Sequence, residues 1–188
     1  MGASGWDYRA PYAGSVEATL IAVQEQVLTS GDYIWPWDDI DPEDLGEDEG
    51  APRPSSLAEL AAAKEIEEFW DEGTHTILDI DRVVAADDNQ VGAIVPLSSA
   101  ELRQVFGTEQ PSAADFDRRY TSGLVGPLDL SDLLGERWSG RSLVIHKDGN
   151  PAEVFFWDSP ATSSRPATRT GQRPPGLASS RTPGRTRR

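Results

Sequence analysis

Cysteine is missing from all 188 residues, and the chain has one methionine, two histidines and only two lysines, Lys64 and Lys147. Without thiols there can be no disulfide, no thiolate metal site and no cysteine nucleophile. Two imidazoles leave little material for histidine-based metal or acid–base chemistry. No apolar run approaches the ~18 residues of a membrane span, so no membrane contact is expected. No glycine-rich phosphate loop, serine-centred elbow or His-Glu-x-x-His pattern occurs, and no cofactor or bound metal is expected. The opening Met-Gly-Ala-Ser-Gly-Trp-Asp-Tyr has neither a basic nor an apolar signal region, and Trp6 stands where a myristoylation motif wants Ser or Thr. The expected location is the cytoplasm.

Positive charge is also scarce, and it is unevenly placed. The formal net charge is −15. Seven arginines (165, 169, 173, 181, 185, 187 and 188) fall within residues 161–188, which hold no acid. All 32 acids and the other ten bases lie in residues 1–160, which therefore carry −22. A body that acidic repels nucleic acid and attracts basic partners. From Asp158 onward Ser, Thr, Pro, Gly and Arg dominate without periodicity. Residues 159–188 are therefore expected to form a disordered Arg/Pro-rich tail able to contact polyanions. A genuine basic arm and a frameshift-like extension both fit that composition. The preference for arginine over lysine, with abundant Ala, Gly and Pro, suits a high-GC bacterial genome.

What the chain does have is aromatic surface. Six Trp, four Tyr and five Phe offset a hydrophobic content of 37%, because each ring buries a large area. The length suits one domain, 1–158, plus the tail. Its clearest local signal is a hairpin over 138–157. The β-rich runs Leu143–His146 and Glu153–Trp157 flank the turn Asp148-Gly149-Asn150-Pro151. The unbroken run Val154–Trp157 predicts a strand covered on both faces, by a helix on one and by chain on the other. Lys147 and Asp148 beside His146 form either a ligand-facing turn or, by preference, an ordinary solvated tip.

Other elements follow from caps and periodicity. Trp6, Tyr8 and Tyr12 are expected to pack from an extended segment onto the body. Ser15 caps a helix whose Val16, Leu20, Val23 and Val27 share a face, and which ends near Gly31. Tyr33–Trp37 reads as a short strand or extended edge. The acidic stretch from Asp38 begins a mobile loop, 38–54. It fails as a calcium loop because Pro42 intrudes and its glycine comes too late. Ser55 or Ser56 caps a helix, with Glu59 three residues after Ser56 as in a capping box, that runs to about Glu72 and stops at Gly73. Thr74–Val84 reads as a central strand, with a short helix after Thr76 as the alternative. Asp87–Gln90 is a turn and Val91–Pro96 a strand. Ser98 and Glu101 form a second capping box for helix 99–106. Pro111-Ser112 opens another helix with Phe116 and Tyr120 on one face, and a short helix covers Leu128–Leu134. The predicted fold class is α+β: a small, mainly antiparallel sheet with helices packed on one face.

Two functions compete on these residues. In a strand at 74–81, His75, Asp79 and Asp81 point to one face. If the hairpin lies beside it, His146 approaches them, and the cluster can hold a divalent metal or act as a general base in a small enzyme. The favoured alternative is a non-enzymatic interaction domain. There Trp35 and Trp37 serve as aromatic anchors beside a negative rim of Asp38, Asp39 and Asp41, binding a basic partner as an inhibitor or immunity-type protein does.

Four segments taken together, Gly2–Tyr8, Gly31-Asp-Tyr33, Gly73-Thr-His-Thr-Ile-Leu-Asp79 and Trp138-x-Gly-Arg141 with Phe156-Trp157, resemble an uncharacterised family of small acidic proteins from Streptomyces and related actinobacteria. The resemblance covers roughly residues 1–157 and brings no catalytic residues with it. It implies a chain that ends soon after the last aromatic strand, from which 159–188 departs.

Overall fold

The computed structural model describes residues 5–38, 40, 50–85, 91–121, 130–133 and 138–158. In chain order they form β1 (Asp7–Pro11), α1 (Val16–Ser30), α2 (Leu57–Ala63), α3 (Phe69–Glu72), β2 (Arg82–Val83), β3 (Ala93–Pro96), α4 (Ser99–Phe106), α5 (Ala113–Thr121), β4 (Ser139–Lys147) and β5 (Asn150–Trp157). Single 3-10 turns occupy Ile77–Asp79 and Leu130–Leu133.

The hairpin is present and longer than its sequence signal. Lys147 pairs with Asn150, and the two tip residues Asp148 and Gly149 have φ of 52° and 77°. Positive φ at both central positions is the mark of a type I′ turn, whose twist matches that of the strands it joins. The register slips between Ile145 and His146. This bulge lies beside Pro151, which has no N–H to give to the ladder.

The sheet order is β1-β5-β4-β3-β2. The strand pairs β1–β5 and β5–β4 are antiparallel, whereas β4–β3 and β3–β2 are parallel. The α+β class holds, but the expected mainly antiparallel sheet is corrected to a mixed one. Between β3 and β4 the chain passes through α4 and α5, a crossover long enough to return it in the same direction. Residue pattern alone carries no record of that direction.

Alternation along β5 then decides the layers. Val154 and Phe156 point into a cluster with Leu20, Val23 and Val27 of α1, Leu60 of α2 and Phe69 of α3. Phe155 and Trp157 point the other way, to Val105 of α4, Phe116 of α5, Leu143 and Ile145. Helices therefore contribute to an apolar layer on each face, which corrects the one-sided packing expected from the sequence. Close approach is built in at Gly140 of β4. A Cβ there would sit 2.6 Å from the Ile94 Cδ1 and 3.1 Å from the Trp157 carbonyl oxygen, so only glycine fits without movement.

Caps act as read. The Ser15 hydroxyl accepts from Ala18 N, and Gly31 closes α1 at φ 70°. Ser98 and Glu101 form a reciprocal capping box on α4.

Three expected elements differ. The single helix over 57–72 is two, because Lys64 leaves it. Its ammonium donates to the Ile80 carbonyl at 3.0 Å and to Asp81 Oδ1 at 2.6 Å, and its own carbonyl accepts from Trp70 Nε1 at 2.9 Å. Glu65 N and Ile66 N then reach carbonyls only three residues back, and the helix tightens and stops. Tyr33–Trp37 is not a strand; Ile34 N donates to the Thr74 carbonyl at 3.2 Å, and no ladder of such bonds follows among the described residues. Over 74–84 the central strand gives way to the alternative, a short 3-10 helix after Thr76, followed by the two-residue β2 at the sheet edge. The 87–90 turn, most of the 38–54 loop and the 159–188 tail lie outside the described residues. Among the described residues, no helix is long and apolar enough to cross a membrane.

Candidate functional site

The loop 73–81 carries three of the four residues singled out for chemistry. Gly73 and His75 both take positive φ, 69° and 60°, which is costly for a histidine. Asp79 holds this path. It is 2% exposed, and its Oδ1 accepts from Thr74 N at 2.6 Å and Thr74 Oγ1 at 2.8 Å, while Oδ2 accepts from His75 N at 3.0 Å. Burial pushes the Asp79 carboxyl above its ordinary range; hydrogen bonds from Thr74 and His75 and the nearby Lys64 charge oppose that push without cancelling it. Asp79 is thus a clamp on its own loop. His75 gives it a backbone N–H, not its imidazole. Asp81, two residues on, is paired with Lys64.

His146 is elsewhere. Its N donates to the Pro111 carbonyl at 2.8 Å, and it bridges to Ser112 near the free end of the hairpin. The opposite end of β4 is the one that meets the 73–81 loop, for a Cβ on Gly73 would fall 2.5 Å from the Trp138 ring. A strand rises about 3.3 Å per residue, so residues 138 and 146 are on the order of 25 Å apart. The sequence-predicted cluster of His75, Asp79, Asp81 and His146 is therefore not assembled, since the element carrying the first three is a turn at the far end of β4. Among the described residues, no group of three or more His, Asp or Glu is placed to hold a metal. At the hairpin tip Lys147 and Asp148 are exposed, with no enclosing wall from β4 or β5.

The aromatic contact set is also rearranged. Trp35 and Trp37 are 3% and 6% exposed. They meet edge to face at 5.3 Å, and Trp35 packs on Phe69 at 5.9 Å. Trp35 Nε1 donates to the Ala51 carbonyl at 2.9 Å. Both rings belong to the core, which corrects their assignment as partner anchors: the alternation of Tyr33, Trp35 and Trp37 signalled burial. Asp38 accepts from Arg53 Nε at 3.3 Å, and the Arg53 guanidinium lies over the Tyr33 ring at 4.6 Å. The Arg53 hydrogen bond holds the Asp38 carboxyl below the usual carboxylate range. Asp39 and Asp41 lie outside the described residues.

What the sequence reading missed is a cleft of about 610 Å³ bordered by α1 and α2. Ile21 stands on one side and Leu57, Leu60 and Ala61 on the other, with Trp70 and the Ile80–Asp81 backbone closing it. Its floor is polar but satisfied. Gln24 Nε2 donates to the Ile77 and Ile80 carbonyls at 3.1 and 2.7 Å, and Lys64 makes the bonds given above. Burial pulls the Lys64 ammonium below its ordinary value, and Asp81 works against that. Two signals pointed here. Lys64 is the lone base in an acidic stretch, and Ile21 is apolar yet off the Val16-Leu20-Val23-Val27 stripe. The Lys64 amine is thus held by a carboxylate and a carbonyl.

Comparison of the chain with family models, with curated proteins and with solved structures finds no match.

Proposed function

We propose that the chain is a non-enzymatic interaction domain that engages a basic protein partner, its sharpest form being an inhibitor or immunity-type protein. One observation carries this reading. Between Val16 and Glu72 the described residues expose ten carboxylates and a single base, Arg53, which is itself paired with Asp38. The only other base there, Lys64, is turned inward. Surface charge of one sign steers an oppositely charged partner, raises its association rate and disfavours acidic competitors. A cytoplasmic location, and kinship with the small acidic actinobacterial proteins, belong to the same proposal.

Calorimetric titration of the full chain with a small cationic ribonuclease, and with an acidic protein of similar size, tests it. The ribonuclease is expected to bind at low salt and to weaken on the order of tenfold or more at high salt, as screened charges do. Equal binding of both probes, or binding indifferent to salt, overturns the proposal.

A further inference from the structure

The geometry points to the α1–α2 cleft as the docking groove for a basic amphipathic helix of the partner, with aliphatic side chains seated on Ile21 and Ala61 and cationic ones reaching the carboxylates on either side. The inference rests on the acidic interaction domain just described and adds where contact is made and by what shape.

The groove combines two features. Its walls are apolar: Ile21 is 49% exposed, and Leu57 and Ala61 face it across the cleft. Single exposed aliphatics are ordinary, but this one lines a concavity. Its rims are acidic. Glu17 and Glu25 stand one turn before and one turn after Ile21 on α1, so that carboxylates continue its apolar row, and Glu65, just past the end of α2, lines the cleft with Ala61. All three are exposed, and neither helix carries a surface base. The Lys64 charge on the floor is neutralised by Asp81, so nothing in the cleft calls for an anion. An occupant must therefore be apolar in its middle and cationic at its edges.

Its shape follows from the spacing. Glu17 to Glu25 spans eight residues of helix, about 12 Å, or two turns. A partner helix with aliphatic residues four apart, flanked by lysine or arginine, presents the same repeat.

The test uses the full chain and a synthetic helical peptide of leucine and lysine in amphipathic order. A control peptide has every leucine replaced by serine at equal charge. The variants are Ile21→Glu and Ala61→Glu, both at exposed positions, with thermal unfolding run alongside to show that each is folded. The leucine peptide is expected to bind at least about tenfold more tightly than the serine peptide, to shift amide resonances within 17–25 and 57–65, and to lose that advantage in both variants. Equal binding of the two peptides, shifts confined to other regions, or unaltered binding by folded Ile21→Glu overturns the groove. Ribonuclease binding that persists while the groove fails leaves the broader function standing; loss of both removes both.

Discussion

The two faces of the sheet are stabilised by different means. The face under α1, α2 and α3 buries Gln24, Lys64, Thr74 and Asp79 among its aliphatic and aromatic side chains. The face under α4 and α5 is built from Leu143, Ile145, Phe155, Trp157, Val105 and Phe116, with polar contacts such as Arg141 to Glu101 at 2.6 Å and Trp157 Nε1 to the Leu130 carbonyl at 3.3 Å. The difference tracks regularity of the backbone. Much of 33–38 and 64–81 lies outside helices and strands, and its amides and carbonyls need partners once buried. Side chains supply them: Gln24 and Lys64 to the Ile80 carbonyl, Asp79 to the Thr74 and His75 amides, Trp35 to the Ala51 carbonyl. Across the sheet, α4 and α5 satisfy their own backbones and need only caps.

Three substitutions challenge that contrast, in descending order of effect. Asp79→Ala leaves the buried Thr74 amide and the part-buried His75 amide without their acceptor and is expected to cost about 3 kcal/mol, read from denaturant unfolding. A loss near zero shows that the loop does not depend on its clamp. Glu101→Gln on the other face removes the charge that pairs with Arg141 while leaving an amide oxygen able to serve the capping box, for about 1.5 kcal/mol.

The two carboxylates also carry opposite pH signs. Burial pushes the Asp79 carboxyl up, so its pH-linked stabilisation is full below the unfolded value and is lost as pH rises through the raised folded one. Burial also opposes the Glu101 charge, but Ser98 and Arg141 outweigh it and hold the carboxyl down. Its contribution is present above the unfolded value and lost as pH falls through the depressed folded one. The gap between wild-type protein and Glu101→Gln is therefore expected to close in acid, whereas the gap to Asp79→Ala is widest there. Parallel profiles would refute the assignment. Smallest is Lys64→Met, expected within about 1 kcal/mol of wild type, since Gln24 still donates to the Ile80 carbonyl and Asp81 retains access to water. A cost several times larger would make Lys64 the main tie between α2 and the 80–81 segment.

The same contrast explains what could be read in the sequence. Ser15, Gly31, Ser98 with Glu101, and Asp148-Gly149 act on neighbours a few residues away, so their outcomes are written locally. Lys64 breaks a helix that its own stretch would continue, because its partners are at 80 and 81. Trp35 and Trp37 look like anchors beside acids until Phe69 is brought against them. Asp79 has the residue type of a general base, and only its three short hydrogen bonds reveal a clamp. The cleft was the least legible feature, since Ile21 and Ala61 lie on helices that meet only in the fold.

Order of synthesis gives the position of β5 a further meaning. Asp7 of β1 pairs with Trp157, and Arg141 of β4 pairs with the same residue, so among the described strands the one made last lies between the one made first and the rest of the sheet. Until it emerges, β1 has no partner and β4 has a bare edge, both open to other chains. Contacts that span the chain in this way slow folding. A nascent chain stalled before Glu153 would hold most of the side chains of both layers and still lack the strand that joins them.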